Sequence, residues 1–441
     1  MGYLSLLPKS WFGVRLVHAP ADQQPRRGGR ALGEHLRAKC PSIADPDKAY
    51  YVPSWLLPQG DLQTIYLYTQ HYKPAGCPVE YEREIFVFAD GGKAAVDWAL
   101  PLERAEADPG TDAEEEEGTR AGSDAGLESD AGLGPDASPP LVILVPGIAG
   151  TSYDYYARSF IKQVREEVPG CRVVVLHSRG CNGVSLASPK SFHGGMTEDL
   201  REFVAHISKR MPDTPLVGVG FSLGANILTK YVGEEGDGCR LVAAAAACNP
   251  FDMDMTVDSM CVPSLKNRYL YAAALTRSLV SLFTNNENVI MAGDVALNAD
   301  AIRTARNIAE FNEAYTAKVF GYASAKELNV RTSCAQFVKD VRIPMLFINA
   351  LDDPMCCRRS IPVAEIERNP RLVLALTRFG GHLAFFEGTR LAPWLPRQLA
   401  QFVAAMLEWR QLPAPPPQPQ PQPQPQPATE PKTTTGPMAL I

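Results

Sequence analysis

From residue 141 onward the apolar positions fall into short unbroken runs, separated by longer stretches where they recur every three or four residues. The runs are Leu141-Val142-Ile143-Leu144-Val145, residues 172–176, Leu216-Val217-Gly218-Val219, residues 241–248, residues 343–350 and Leu372-Val373-Leu374-Ala375-Leu376. A run of four to eight apolar residues without alternation is the mark of a strand covered on both faces. Between the runs, helical periodicity spans 153–167 and 197–210, and it returns at 394–409. Strand and helix taking turns predict a mostly parallel sheet flanked by helices, an α/β fold. Upstream, Glu84-Ile85-Phe86-Val87-Phe88 and Ala95-Val96-Asp97-Trp98-Ala99 flank Asp90-Gly91-Gly92, which predicts a hairpin at an antiparallel edge of that sheet. The rhythm breaks between 249 and 340, where the pattern is helical and strand-poor and includes 269–283 and 299–311; this predicts a cap or lid. Met253, Met255, Met260, Leu270, Leu275, Leu279 and Phe283 in that segment fit either an acyl channel or the inner faces of ordinary helices.

Composition bounds the domains. Residues 1–50 read as an irregular N-terminal arm with a basic, Gly-rich patch at 26–30, and 51–410 as one large α/β domain. Residues 103–140 turn acidic and rich in Gly, Ala and Ser, with Glu114-Glu115-Glu116-Glu117; such an insertion buries too little apolar surface to offset its ordering entropy and is expected to be disordered. Residues 411–441 carry Pro-Gln repeats and are expected to form an extended tail. A chain of 441 residues has room for this domain and its cap, and a second catalytic domain would not fit comfortably beside them. Net charge is −6 without a basic stripe, which argues against nucleic acid as a partner.

The chemistry begins at Gly220-Phe221-Ser222-Leu223-Gly224, between an apolar strand and a helical run. G-x-S-x-G in that setting holds its serine on a sharp strand-to-helix turn, and hydrolases built this way present nucleophile, carboxylate and histidine in that chain order. The expected partners follow. One strand ends in Leu351-Asp352-Asp353-Pro354 and the next runs into Phe379-Gly380-Gly381-His382. Only one of the two aspartates can face His382 if the chain is extended there; Asp353 is favoured because Pro354 biases it toward a fixed extended conformation. The oxyanion of an attacked carbonyl needs fixed N–H donors. Leu223, after the nucleophile, offers one, and Ile148 in Pro146-Gly147-Ile148-Ala149-Gly150 is the choice for the second.

Together with Leu62-Gln63-Thr64-Ile65, Arg179-Gly180-Cys181-Asn182-Gly183, Thr197-Glu198-Asp199-Leu200 and 380–388, these motifs resemble the abhydrolase-domain lipases related to medium-chain ester synthase/esterases, over about residues 50–410. The resemblance implies an α/β-hydrolase fold, serine-dependent cleavage of acylglycerols and simple carboxylic esters, and the second aspartate of Asp-Asp-Pro as charge-relay member. It also implies a lid segment at 311–322. Some relatives carry a His-x4-Asp acyltransferase motif, from which His193 to Asp199 departs with five intervening residues.

Such chemistry calls for no cofactor and no metal, and the ten scattered cysteines show no metal-binding spacing. They are expected to be free thiols, the adjacent Cys356 and Cys357 lining a loop, which fits a reducing, intracellular compartment. No secretory signal or run of about 18 apolar residues is present, so no membrane-spanning helix is expected. Leu6, Leu7, Trp11 and Phe12 could graze a lipid surface, or pack on the domain. Three activities share these residues as expectations: an ester hydrolase of the monoacylglycerol lipase or carboxylesterase kind, an acyltransferase making medium-chain esters with the same triad, and a non-catalytic scaffold.

Overall fold

The apolar runs assemble into one sheet in a computed structural model of the chain, which describes residues 8–70, 78–101, 138–261 and 270–414. Its strands are β1 (Arg15–His18), β2 (Tyr81–Val87), β3 (Lys93–Ala99), β4 (Leu141–Val145), β5 (Arg172–Leu176), β6 (Leu216–Phe221), β7 (Ala243–Ala247), β8 (Met345–Ala350) and β9 (Leu372–Thr377). Across the sheet the order is β1-β9-β8-β7-β6-β4-β5-β3-β2. Strands β4 to β9 are parallel neighbours. The predicted β2–β3 hairpin adds antiparallel to β5, with Gly91 at a φ of 80° in its turn.

Both faces of the parallel strands are covered, which is why their sequences do not alternate. Ile143, Val145, Val174 and Leu176 pack with Phe203, Val204 and Ile207 of α4 (Thr197–Arg210) on one side. Val142, Leu144, Val173 and Val175 pack on the other with Phe160, Ile161 and Val164 of α3 (Tyr155–Glu167) and Leu399 and Val403 of α9 (Trp394–Gln411). The alanines of β7 leave room close to the sheet for α5 (Leu223–Glu235), and so does Gly218, where a Cβ would stand 2.7 Å from Leu228 of that helix.

The lead-in is not the irregular arm expected. Arg15-Leu16-Val17-His18 extends the sheet beside β9 in antiparallel register, and α1 (Leu32–Lys39) buries Leu32 and Leu36 in the α9 side of the core. Four residues are too few for periodicity to reveal a strand, and the basic glycine patch is a tight turn: Arg26–Arg27 pairs with Arg30–Ala31 across Gly28 and Gly29, both at positive φ. The expected insertion (apart from 138–140) and most of the Pro-Gln tail lie outside the described residues.

Between β7 and β8 the regular elements among the described residues are all helical, with α6 (Met253–Cys261), α7 (Ala272–Asn285) and α8 (Ala325–Thr332) the longest α-helices. The helix expected over 299–311 is split into Ala299–Arg303 and Ile308–Phe311, because Asn307 starts a new helix by accepting the Glu310 N–H on its side chain. Met260, Leu279 and Phe283 face inward as core, whereas Leu270 is exposed.

Candidate active site

The strand tips decide where the chemistry gathers. Val145 pairs with Gly220, Phe221 with Ala247, Ile348 with Ala247, and Ala350 with Thr377, so the segments after β4, β6, β7, β8 and β9 leave the sheet along one rim. The chain order reverses between β4 and β6, which opens a crevice at the carboxyl ends of the strands.

Ser222 stands in that crevice between β6 and α5, at φ 52° and ψ −119°. That strained backbone is tolerated because the glycines on either side admit main chain where a side chain would collide. A Cβ on Gly224 would lie 2.1 Å from the Val145 carbonyl, and one on Gly220 2.6 Å from the Gly224 carbonyl. His382 arrives from the loop after β9, with Gly380 and Gly381 both at positive φ. Its Nε2 lies 2.8 Å from Ser222 Oγ, and its Nδ1 lies 2.9 Å from Asp353 Oδ2. Asp353, fully buried at its side chain, is fixed by the N–H groups of Met355 and Cys356, which donate to Oδ1 at 2.8 and 2.9 Å. The three residues expected at successive strand ends are thus joined through hydrogen-bonding distances.

Asp352 turns the other way. Its carboxylate accepts from the N–H of Gly60 at 2.8 Å and of Gly381 at 3.1 Å, clamping α2 (Gly60–Gln70) to the histidine loop. Burial pushes this carboxyl up to about 6, against the pull of the two N–H groups. Thr64 of α2 completes the clamp: its hydroxyl accepts the His382 N–H at 2.8 Å and donates to the Gly60 carbonyl at 2.7 Å. Sequence reasoning singled out Leu62-Gln63-Thr64-Ile65 only as a likeness and missed that it shapes the site.

The loop carrying Ile148 lies against the serine, since a Cβ on Gly147 would stand 3.3 Å from Ser222 Cβ. The Gly147 N–H is taken by the buried Tyr156 hydroxyl at 3.2 Å, and the Leu223 N–H heads α5, where a helix has no internal acceptor for it. Behind this loop lies a cluster the sequence did not reveal. Asp97 of β3, fully buried, accepts from Arg83 at 2.7 and 2.9 Å, from Ser152 at 2.5 Å, and from Asn182 at 2.9 Å, with His177 Nε2 3.0 Å away. These partners come from three segments, and one of them, Ser152, follows the Ile148 turn.

His193 and Asp199 do not form a dyad. Both carboxylate oxygens of Asp199 accept from Arg179, at 2.8 and 2.7 Å, while His193 Nδ1 accepts the Gly195 N–H and its ring packs on Phe320 and Tyr322. Cys356 lines the loop after β8 as expected, but its thiol also donates to the Cys248 carbonyl at 3.1 Å and lies 3.7 Å from His382 Nδ1. Of the residues considered for lipid contact, Phe12 is buried against Phe379 and Trp11 is exposed beneath Arg378; Leu6 and Leu7 lie outside the described residues. No helix among the described residues is long and apolar enough to cross a membrane.

Comparison with known proteins agrees with this architecture. The chain is 29% identical over 383 residues to phospholipase ABHD3 of Homo sapiens, covering 86% of this chain and 84% of that protein. It is 30% identical over 382 residues to medium-chain fatty acid ethyl ester synthase/esterase 2 of Saccharomyces cerevisiae (78% and 83% covered), and 28% over 389 residues to the monoacylglycerol lipase of that yeast (84% of each). Residues 140–389, the stretch that holds β4 to β9 and all three members of the Ser222, His382 and Asp353 chain, match the family described as alpha/beta hydrolase fold, and the protein belongs to that family.

Proposed function

We propose that the protein is a serine hydrolase that cleaves carboxylic esters of acyl lipids through an acyl-enzyme on Ser222. The observation that carries this reading is the unbroken chain from Ser222 Oγ through His382 to Asp353, with contacts of 2.8 and 2.9 Å. His382 Nε2 takes the hydroxyl proton as the oxygen attacks the ester carbonyl, and Asp353 holds the proton on Nδ1 and stabilises the imidazolium. The N–H groups of Leu223 and Ile148 receive the developing oxyanion without reorganising. Protonated His382 then releases the alcohol, and water, deprotonated by the same imidazole, frees the acid. An alcohol in place of water would make a new ester from the same intermediate, the chemistry for which the yeast ethyl ester synthase/esterase is named.

A lipid substrate is supported by the names of the phospholipase and monoacylglycerol lipase relatives and by the surface beside the site. Leu62 and Ile65 on α2, together with Trp55 and Leu56 just before it, are each more than two-fifths exposed, on the helix whose Thr64 holds the His382 loop. Such a face suits peripheral contact with a lipid surface. The test is a fluorophosphonate probe alongside hydrolysis of p-nitrophenyl esters of graded chain length and of monoacylglycerols. Wild type should label and turn over, and Ser222→Ala should do neither, with kcat down by about 10^4-fold or more; ester turnover that survives Ser222→Ala would overturn the assignment.

A further inference from the structure

The acid end of the triad is surrounded by sulfur. Cys248 sits at the tip of β7, between the strand ends that deliver Ser222 and Asp353, and its backbone is held at a φ of 50°, a conformation few side chains adopt. Its Sγ accepts the N–H of Leu383, the residue after the triad histidine, at 3.2 Å. Cys248 Sγ, a carboxylate oxygen of Asp353 and a ring nitrogen of His382 all lie within 4.8 Å of one another. The Cys356 thiol lies 3.7 Å from the same ring, at His382 Nδ1. Thiolate, imidazole and carboxylate are the donors a zinc ion takes, and bonds of about 2.0 to 2.3 Å in a tetrahedron set neighbouring donors roughly 3.5 Å apart. Separations of no more than 4.8 Å are within about 1.3 Å of that spacing. Asp353 Oδ1 stays anchored by the Met355 and Cys356 N–H groups, which orients the carboxylate as an outer shell of hydrogen bonds does in a metal centre.

We infer that Cys248, Asp353 and His382 form an inhibitory site for a soft or borderline divalent cation such as Zn2+, placed on the far side of the imidazole from the nucleophile. This rests on the reading of Ser222 as the nucleophile. Binding releases the thiol proton of Cys248 to solvent as the metal–sulfur bond forms. The metal also takes the Nδ1 lone pair, so the neutral imidazole must carry its single proton on Nε2. That proton points at Ser222 Oγ. The nitrogen that should accept the hydroxyl proton has become a donor, and attack stops without any ligand entering the acyl pocket. Hard cations such as Mg2+ and Ca2+, which prefer six or more oxygen donors, should not occupy the site. The sequence hides this arrangement because its donors are 248, 353 and 382, brought together only by the order of β7, β8 and β9.

The test uses the full chain stripped with chelator. Zn2+ should inhibit p-nitrophenyl ester hydrolysis and fluorophosphonate labelling together, chelator should restore both, and Mg2+ or Ca2+ should do nothing. In Cys248→Ser, compared with its own metal-free rate, half-inhibition should need about tenfold more Zn2+ or beyond. Binding is read separately with Co2+, whose thiolate charge-transfer absorption should appear at one equivalent in wild type and in Ser222→Ala and be lost in Cys248→Ser. Absence of that band from both wild type and Ser222→Ala, or equal Zn2+ sensitivity with and without Cys248, would overturn the site. A cobalt band present in a protein that hydrolyses no ester would uphold the site and remove the hydrolase reading instead.

Discussion

Two adjacent aspartates with different duties show what a single residue's surroundings decide. Asp353 meets His382 Nδ1 at 2.9 Å, while Asp352 accepts main-chain N–H groups from Gly60 and Gly381. Asp353→Asn should therefore lower kcat by about 10^4-fold with KM little changed, because an amide facing Nδ1 stabilises the wrong tautomer. Asp352→Asn has one acceptor oxygen for two N–H donors and should cost about 1 to 3 kcal/mol of stability, read by denaturant melts, with a far smaller loss of kcat. Equal kcat losses in the two variants would refute the division of labour. The choice between them was legible in the sequence through Pro354, and Ser222 and His382 through their glycines. Thr64 and Cys248 were not, because neither makes a local pattern; each matters through a partner more than a hundred residues away in the chain.

At the level of elements, legibility followed burial. Strands β4 to β9 are covered on both faces, so their apolar runs announced them, whereas α2 is built the other way round. It turns Gln63 and Thr64 inward and leaves Leu62 and Ile65 exposed, since its inner face exists to hydrogen-bond: Gln63 accepts the Phe386 N–H at 2.7 Å and Thr64 the His382 N–H. A periodicity argument that sends apolar residues to the core misreads such a helix. The turn between β6 and α5 depends on a similar close fit. The nearest atoms to an added Cβ at Gly224 are the backbone carbonyls of Val145 and Pro146, at 2.1 and 2.4 Å, and backbone cannot rotate away as a side chain can. Gly224→Ala is expected to cost more than about 3 kcal/mol or to abolish folding. Gly238→Ala, with nothing within 4 Å of the added methyl, should change stability by no more than about 0.5 kcal/mol. Urea melts of both variants check this, and a Gly224→Ala protein as stable as wild type would mean that the two segments are not pressed together as described.

For the molecule as a whole, acid tests how the helical segment between β7 and β8 is held against the loop between β5 and α4. His193 lies in the loop between β5 and α4, packed edge-on against Phe320 and Tyr322 from the segment between β7 and β8. Burial, with some help from Lys230, pulls its imidazole down to about 4. A depressed value means that the folded state refuses a proton the unfolded chain accepts, so the stability His193 contributes is complete above about 6.5 and drains away as pH falls toward 4. The fall from 6.5 to about 4 sets the loss on the order of 3 kcal/mol. Asp199 and Asp352 act in the opposite direction: burial holds both carboxyls up at about 6, so the stability tied to their protonated forms is complete below about 4 and is lost as pH rises through 6. The acid response of the wild-type protein alone therefore mixes opposing contributions, and His193 is isolated by comparison with His193→Asn, which is neutral throughout. Urea melts of the two proteins from pH 7.5 to 4 should show the variant gaining on wild type by on the order of 3 kcal/mol, with most of the change below pH 6.5. A difference that stays constant across that range would show that the imidazole is not shielded from water, and that Phe320 and Tyr322 do not cover it.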